Sequence, residues 1–173
     1  MTHKIIAIIL LFSVLADFHL TPRQQKRLEK SLNKAWHASD IQISPLCIDS
    51  TLEIQPDDLY YSISNDEGII GYAAGRKITD QYLNYFPLFA FDSDLKVKEV
   101  FIIEMNTIKG AEITAKSWLK QFKSYSGGQL KLGKDIDGIT GATLSGLSMV
   151  REVQRFWNNL DQTINSTNIL VGQ

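Results

Sequence analysis

The chain has 173 residues, of which 44% are hydrophobic and 21% charged, and 18 Lys and Arg against 19 Asp and Glu leave a net charge of −1. Eleven Gly, four Pro and 10% aromatics exclude a collagenous, low-complexity or disordered chain and describe a folded globular domain. Without a block of Lys and Arg, neither nucleic acid nor an anionic membrane surface is expected as the main partner.

The single cysteine, Cys47, allows no intramolecular disulfide and no thiolate metal cage. The histidines His3, His19 and His37 include no i, i+4 pair, so no metal site is expected. At the amino terminus Lys4 precedes Ile5 to Ala16, apolar apart from Ser13, and Asp17 ends the run. A spanning helix needs roughly 17 or more apolar residues, and Val14 and Ala16 suit the small positions before a cleavage site. Residues 1–16 are therefore expected to be a secretory signal peptide, with an uncleaved membrane anchor as the alternative. Either reading places the domain outside the cytoplasm, periplasmic or extracytoplasmic, and membrane-associated if the segment is retained. No cysteine follows the run to take a lipid. Loss of Lys4 leaves 17 positive against 19 negative residues, or −2.

Residues 17–58 form an N-terminal amphipathic helix and a connector. Thr21, Pro22 and Gln24 make a capping box with proline at the first helical position, and Leu28, Leu32, Ala35 and Trp36 recur at helical spacing. Ile41 to Asp58, with Pro45 and Pro56, reads as a short strand or turn, with Cys47 expected buried and inert. Residues 59–173 form the main domain. Leu59–Ser64, a turn at Asn65-Asp66-Glu67-Gly68 and Ile69–Ala74 predict a hairpin. Gly71 and Gly75 in its second strand suggest a bulge or the close approach of something flat. A second hairpin joins Tyr85–Phe91 to Val97–Glu104 through Asp92-Ser93-Asp94, giving a meander of at least four strands. Helical spacing returns over Gly110–Lys123, with Ile113, Trp118, Leu119 and Phe122 on one side, followed by a loop at Ser124–Gly128. A closing amphipathic helix runs through Leu144, Leu147, Val150, Val153, Trp157, Leu160 and Ile164. The order predicts an α+β fold with a mainly antiparallel sheet flanked by helices. The Asn165-Ser166-Thr167 sequon carries no meaning in a bacterial chain.

Just before the last helix stands Asp137-Gly138-Ile139-Thr140-Gly141-Ala142-Thr143. Its five specified positions arise by accident in on the order of one chain in a few thousand. The heptad resembles the D-x-x-[S/T]-G-A-T motif of the FMN-binding domain family, whose familiar members are flavin subunits of the Rnf complex and of the sodium-translocating NADH:quinone reductase. The resemblance spans about Tyr61 to Trp157, and Gly110-Ala111-Glu112-Ile113 with Trp118-Leu119-Lys120-Gln121-Phe122 resembles a stretch of small secreted bacterial members. The respiratory subunits carry E-T-P-G-L-G where this chain has Glu104-Met105-Asn106-Thr107-Ile108-Lys109-Gly110, a departure from those complexes.

The resemblance implies that residues 59–173 are an FMN-binding domain with FMN joined covalently to Thr143 by a phosphoester. Asp137 can cap the turn or, as the resemblance implies, be read by the modifying enzyme; Thr140 offers a second capping oxygen, Gly141 permits close backbone approach, Ala142 keeps its position small, and a helix N-terminus favours phosphate. No catalytic Ser-His-Asp or Cys-His set in the chain would activate the threonine. The resemblance implies instead a separate Mg-dependent flavin transferase that takes FMN from FAD and releases AMP. Trp118, Tyr125, Tyr72 and Phe122 are candidates to stack on the ring, and Glu112 or backbone near Gly110 to bond its edge, with Ile113 beside them; each aromatic taken alone also suits the core. The expected role is an exported electron carrier or accessory subunit working with a membrane or envelope redox partner, rather than a stand-alone enzyme. Two alternatives stay open: a flavin-dependent reductase of a small extracytoplasmic acceptor, and an unmodified binding or interaction module of the same fold.

Overall fold

Local signals set the first helix, α1 (Pro22–Trp36), in a computed structural model that describes residues 20–107 and 110–171. The expected signal segment, residues 1–16, lies outside the described residues, as do Ile108 and Lys109. The capping box closes in both directions: Gln24 N–H donates to Thr21 Oγ1 at 3.3 Å, and Thr21 N–H donates to Gln24 Oε1 at 2.9 Å. His37, at φ +52, ends the helix.

The strands are β1 (Gln42–Pro45), β2 (Asp58–Asn65), β3 (Gly68–Arg76), β4 (Ile78–Thr79), β5 (Asn84–Asp92) and β6 (Val97–Met105), and every pairing between them is antiparallel. They follow a meander in which the short β4 extends the β3 edge, since Tyr85 pairs with Ile78 on one side and Met105 on the other. Both expected hairpins are present. At Gly71 both sequence expectations meet. The β2–β3 register shifts at Ile63/Ser64, and a Cβ on Gly71 would lie 2.5 Å from the Trp36 indole. That indole is the flat group approaching, and its Nε1–H donates to the Ile70 carbonyl at 3.2 Å.

Period-two alternation gives the sheet two buried faces. Leu59, Ile63, Ala73, Phe86, Leu88, Ala90 and Ile103 pack under Leu28, Leu32 and Ala35 of α1. Tyr60, Tyr72, Tyr85, Phe89, Phe91 and Val100 face the closing helix, α3 (Thr143–Val171), through Met149, Val150, Val153, Phe156 and Leu160. Phe89 lies in tilted contact with Phe156 at 5.9 Å and edge-on to Phe122 at 6.5 Å, aromatic geometry worth about 0.5–1.5 kcal/mol per pair beyond area burial. The result is the expected α+β fold, a mainly antiparallel sheet between helices.

A buried ionic cluster pins α3 to β2. Arg155 donates to both oxygens of Asp58, at 2.5 and 2.8 Å, and to Glu152 at 2.6 Å, while its guanidinium stacks 4.5 Å over Phe156. Burial works against the charge of Arg155, but the hydrogen bonds it donates to Asp58 and Glu152 outweigh it and hold its pKa above the ordinary value. Tyr60 is pushed up to about 12 chiefly by burial, opposed by the hydrogen bond from Asn159 at 2.8 Å.

Three sequence expectations are corrected. Cys47 is exposed, because Leu46 and Ile48 on either side turn onto the core and extended backbone sends the residue between them outward. The expected helix over Gly110–Lys123 is broken into a 3-10 turn at Ala111–Thr114, α2 (Lys116–Leu119) and a 3-10 turn at Lys120–Phe122, with Ala115 extended at ψ 123°. Its apolar residues still reach one core, so the period was read correctly although the helix does not continue. Leu144 and Leu147, expected on the apolar face of α3, are 55% and 51% exposed. No helix among the described residues is long and apolar enough to cross a membrane.

Candidate functional site

The segment carrying the heptad is fixed from both ends. Fully buried Ile136 closes a turn with Lys131, Gly133 and Leu132. Asp137 is then held by its main chain: its N–H donates to Gln121 Oε1 at 2.8 Å, and its carbonyl accepts from Trp118 Nε1–H at 2.7 Å. Ile139 to Ala142 make a β-turn closed by Ala142 N–H to the Ile139 carbonyl at 3.0 Å, with Gly141 third at φ +85. A positive φ at that position calls for glycine. Ala142 is buried, and Thr143, the next residue, opens α3 with its side chain exposed.

Among the described residues no side chain caps the start of α3. The first helical bond runs from Gly146 N–H to the Ala142 carbonyl at 2.9 Å, and the N–H groups of Thr143, Leu144 and Ser145 meet no acceptor among the described residues. The expectation that Asp137 and Thr140 supply capping oxygens is not met: Asp137 is engaged through its backbone, and Thr140 is exposed and makes no bond to the helix. Three free donors at the positive end of a helix dipole remain to face an anion, an arrangement typically worth about 0.3–1 kcal/mol for each charge.

Gly110 joins this group from a distant part of the chain. At φ +86 it opens the 3-10 turn, and a Cβ there would overlap Ser145 Oγ and lie 3.9 Å from Ala142 Cα. The Gly110–Ile113 stretch is thus in contact with the heptad, Ile113 being fully buried beneath it. An open cleft of about 490 Å³ beside the heptad is lined by Glu112, Ala115, Ser117, Trp118, Gln121, Asp137 and Ile139. Trp118 is 4% exposed and stands edge-on to Phe122 at 5.2 Å, so it offers the cleft a rim rather than an open ring face.

The other aromatics proposed for ring stacking are elsewhere. Tyr72 pairs with Phe91, at the opposite end of β5 from Tyr85, whose hydroxyl lies 3.5 Å from the Ser145 carbonyl. Tyr125 packs edge-on against Trp157, its hydroxyl donating to the Gly128 carbonyl at 2.7 Å, and Phe122 is fully buried. Sequence reasoning missed Gln121, whose side chain holds Asp137. No local pattern identifies such a contact across a loop.

Gly110, Glu112 and Trp118 thus lie beside the heptad, whose last residue is an exposed threonine. A scan against protein-family models gives no match for this chain, and a search of curated proteins gives none either. A functional reading therefore stands on the heptad and its physical setting.

Proposed function

We propose that the protein is an exported electron-transfer protein that carries FMN in phosphoester linkage to Thr143. The observation that supports this most is the exposed Thr143 side chain on the first residue of α3, beside three backbone N–H groups without acceptors. The residues fit the group. The free N–H donors suit a phosphodiester, Gly141 and buried Ala142 keep bulk away from the approach, and the adjoining cleft gives a ring room to lie. The heptad's resemblance to the flavinylation motif adds the chemical identity that the geometry alone does not name.

Thr143 is the nucleophile of the modification but has no base of its own: no histidine, cysteine, aspartate or glutamate makes a hydrogen bond to it among the described residues. The family resemblance implies a separate Mg-dependent flavin transferase as the partner that would supply activation. Thr143 would supply the oxygen of the phosphoester to FMN, with AMP as the leaving group from FAD and the hydroxyl proton taken up by the transferase. Bound FMN supplies reversible one- and two-electron chemistry. This chain's residues then have three tasks. The start of α3 holds the phosphate, the Trp118–Asp137–Gln121 bonds keep the heptad in place, and Gly110 lets the preceding turn pack on the helix start. A membrane or envelope redox partner would exchange electrons with it.

The test is co-expression with a flavin transferase followed by denaturing electrophoresis. Fluorescence should migrate with the chain and disappear in Thr143→Ala; flavin that washes out on denaturation, or survives that substitution, contradicts the proposal.

A further inference from the structure

A second concavity, at the start of α3, shares no residue with the Trp118 cleft. It has a volume of about 250 Å³ and lies between Asp80, Tyr82 and Leu83 of the β4–β5 connection and Leu144, Leu147, Ser148 and Arg151 of α3. Those four helix residues are related by i, i+3 and i, i+4 steps and so share one face. Exposed large apolar side chains are few among the described residues, and three of the five, Tyr82, Leu144 and Leu147, wall this one cavity. Clustering of that kind marks a binding site more often than scattered exposure does.

Ser148 is 2% exposed, and its hydroxyl is buried beside the Tyr85 phenol, where it opposes the upward shift that burial imposes on that group. At the rim, exposed Arg151 makes no ion pair with any described residue, since neighbouring Glu152 is taken by Arg155 and Arg76. The opposite wall is rigid: Asp80 Oδ1 accepts from the N–H groups of Tyr82 and Leu83, each at 2.7 Å, and Asp80 N–H donates to the Leu83 carbonyl at 2.8 Å. The remaining negative charge of Asp80 disfavours an anion on its side and directs one toward Arg151.

We propose that this cavity binds a free one- or two-ring aromatic molecule carrying a carboxylate or similar anionic oxygen. The ring lies against Tyr82, Leu144 and Leu147, and the anionic oxygen sits on the Arg151 guanidinium. Apolar walls supply area, and the planar guanidinium matches a carboxylate. The volume, below the about 300–1,000 Å³ of drug-sized pockets, limits the ligand to a small ring system. The site needs no modification at Thr143, so it stands apart from the flavin reading.

The test uses the full chain as Thr143→Ala, titrated with 2-naphthoate and, in parallel, with neutral 2-naphthamide, followed by calorimetry and amide NMR. Saturable binding of naphthoate is expected, with shifts centred on Tyr82, Leu144, Leu147 and Arg151. Leu147→Glu should weaken it by about tenfold or more, Ile69→Glu, at an equally exposed apolar site on the β2–β3 hairpin, should leave it unchanged, and Arg151→Gln should weaken naphthoate but not naphthamide. Absence of saturable binding at millimolar probe, shifts centred elsewhere, or equal losses in Leu147→Glu and Ile69→Glu would overturn the proposal. So would loss of probe binding on flavinylation of the wild-type chain, which would show the cavity filled by the tethered ring.

Discussion

Gly110→Ala tests whether the Gly110 turn and the start of α3 are one packed unit. Gly110 sits at φ +86 and ψ 6, where an L-residue pays about 1–2 kcal/mol. Its new Cβ would overlap Ser145 Oγ and lie 3.3 Å from Ser145 Cβ, and Ser145 has little room to yield: it is 2% exposed, and the next residue, Gly146, is closed in by the Leu132 side chain. Overpacking of this kind costs about 1–3 kcal/mol. The sum, about 2–5 kcal/mol, corresponds to a Tm drop of roughly 4–20 °C for a domain of this size. Adding Ser145→Ala removes the overlapping oxygen but not the backbone cost, so the double variant should recover about 1–2 kcal/mol, a coupling readable by urea denaturation as a double-mutant cycle. A Tm within about 2 °C of wild type for Gly110→Ala, or a double variant no more stable than the single, would refute the packing argument.

Asp58→Ala removes both bonds to buried Arg155 and should cost about 3–5 kcal/mol in urea denaturation, whereas Asp94→Ala, which breaks only the exposed pair with Lys96 at 3.5 Å, should stay within about 0.5 kcal/mol. Burial raises the pKa values of Tyr60, Tyr85 and Tyr125 in the folded chain, Tyr60 and Tyr125 to about 12. The unfolded chain therefore loses these phenolic protons first, so their stabilising contribution is complete below about pH 10 and is lost as pH rises toward 12 and beyond. Tyrosinate absorbance should thus rise together with unfolding, and independent titration of all six tyrosines near pH 10 without unfolding would contradict this. Trp118→Phe keeps a benzene ring but loses the indole nitrogen and its bond to the Asp137 carbonyl, at a cost of about 1 kcal/mol for the bond with the lost packing added to it, and should speed hydrogen exchange at the Asp137 amide; unchanged exchange would mean that this bond does not hold the heptad.

Features encoded within a few residues were readable in the sequence. The Thr21–Gln24 box, the two hairpins and the closing helix each carry their signal in short-range spacing, and each is present. Where the outcome depended on distant chain, the reading failed. The α3 face containing Leu144 and Leu147 has helical spacing but no covering element among the described residues, and the orientation of Cys47 follows from its neighbours' burial rather than its own polarity. The break at Ala115 comes between segments that all bury apolar residues, so the hydrophobic period passes through it unmarked. For the candidate site, the sequence singled out Gly110, Glu112 and Trp118 together with the heptad, and the fold brings them into one neighbourhood. It did not reveal that Asp137 works through its backbone, that Gln121 holds it, or that Ser148 and Arg151 meet the Asp80–Leu83 turn. Those relations are set by tertiary contacts across 16 residues or more.

The most direct measurement is intact-peptide mass spectrometry on tryptic residues 135–151, released by cleavage after Lys134 and Arg151, from chain isolated with its flavin transferase present. Our account predicts this peptide heavier by FMN less one water, with fragmentation placing the added mass on Thr143. An unmodified peptide, or the added mass on Thr140 or Ser145, would contradict it.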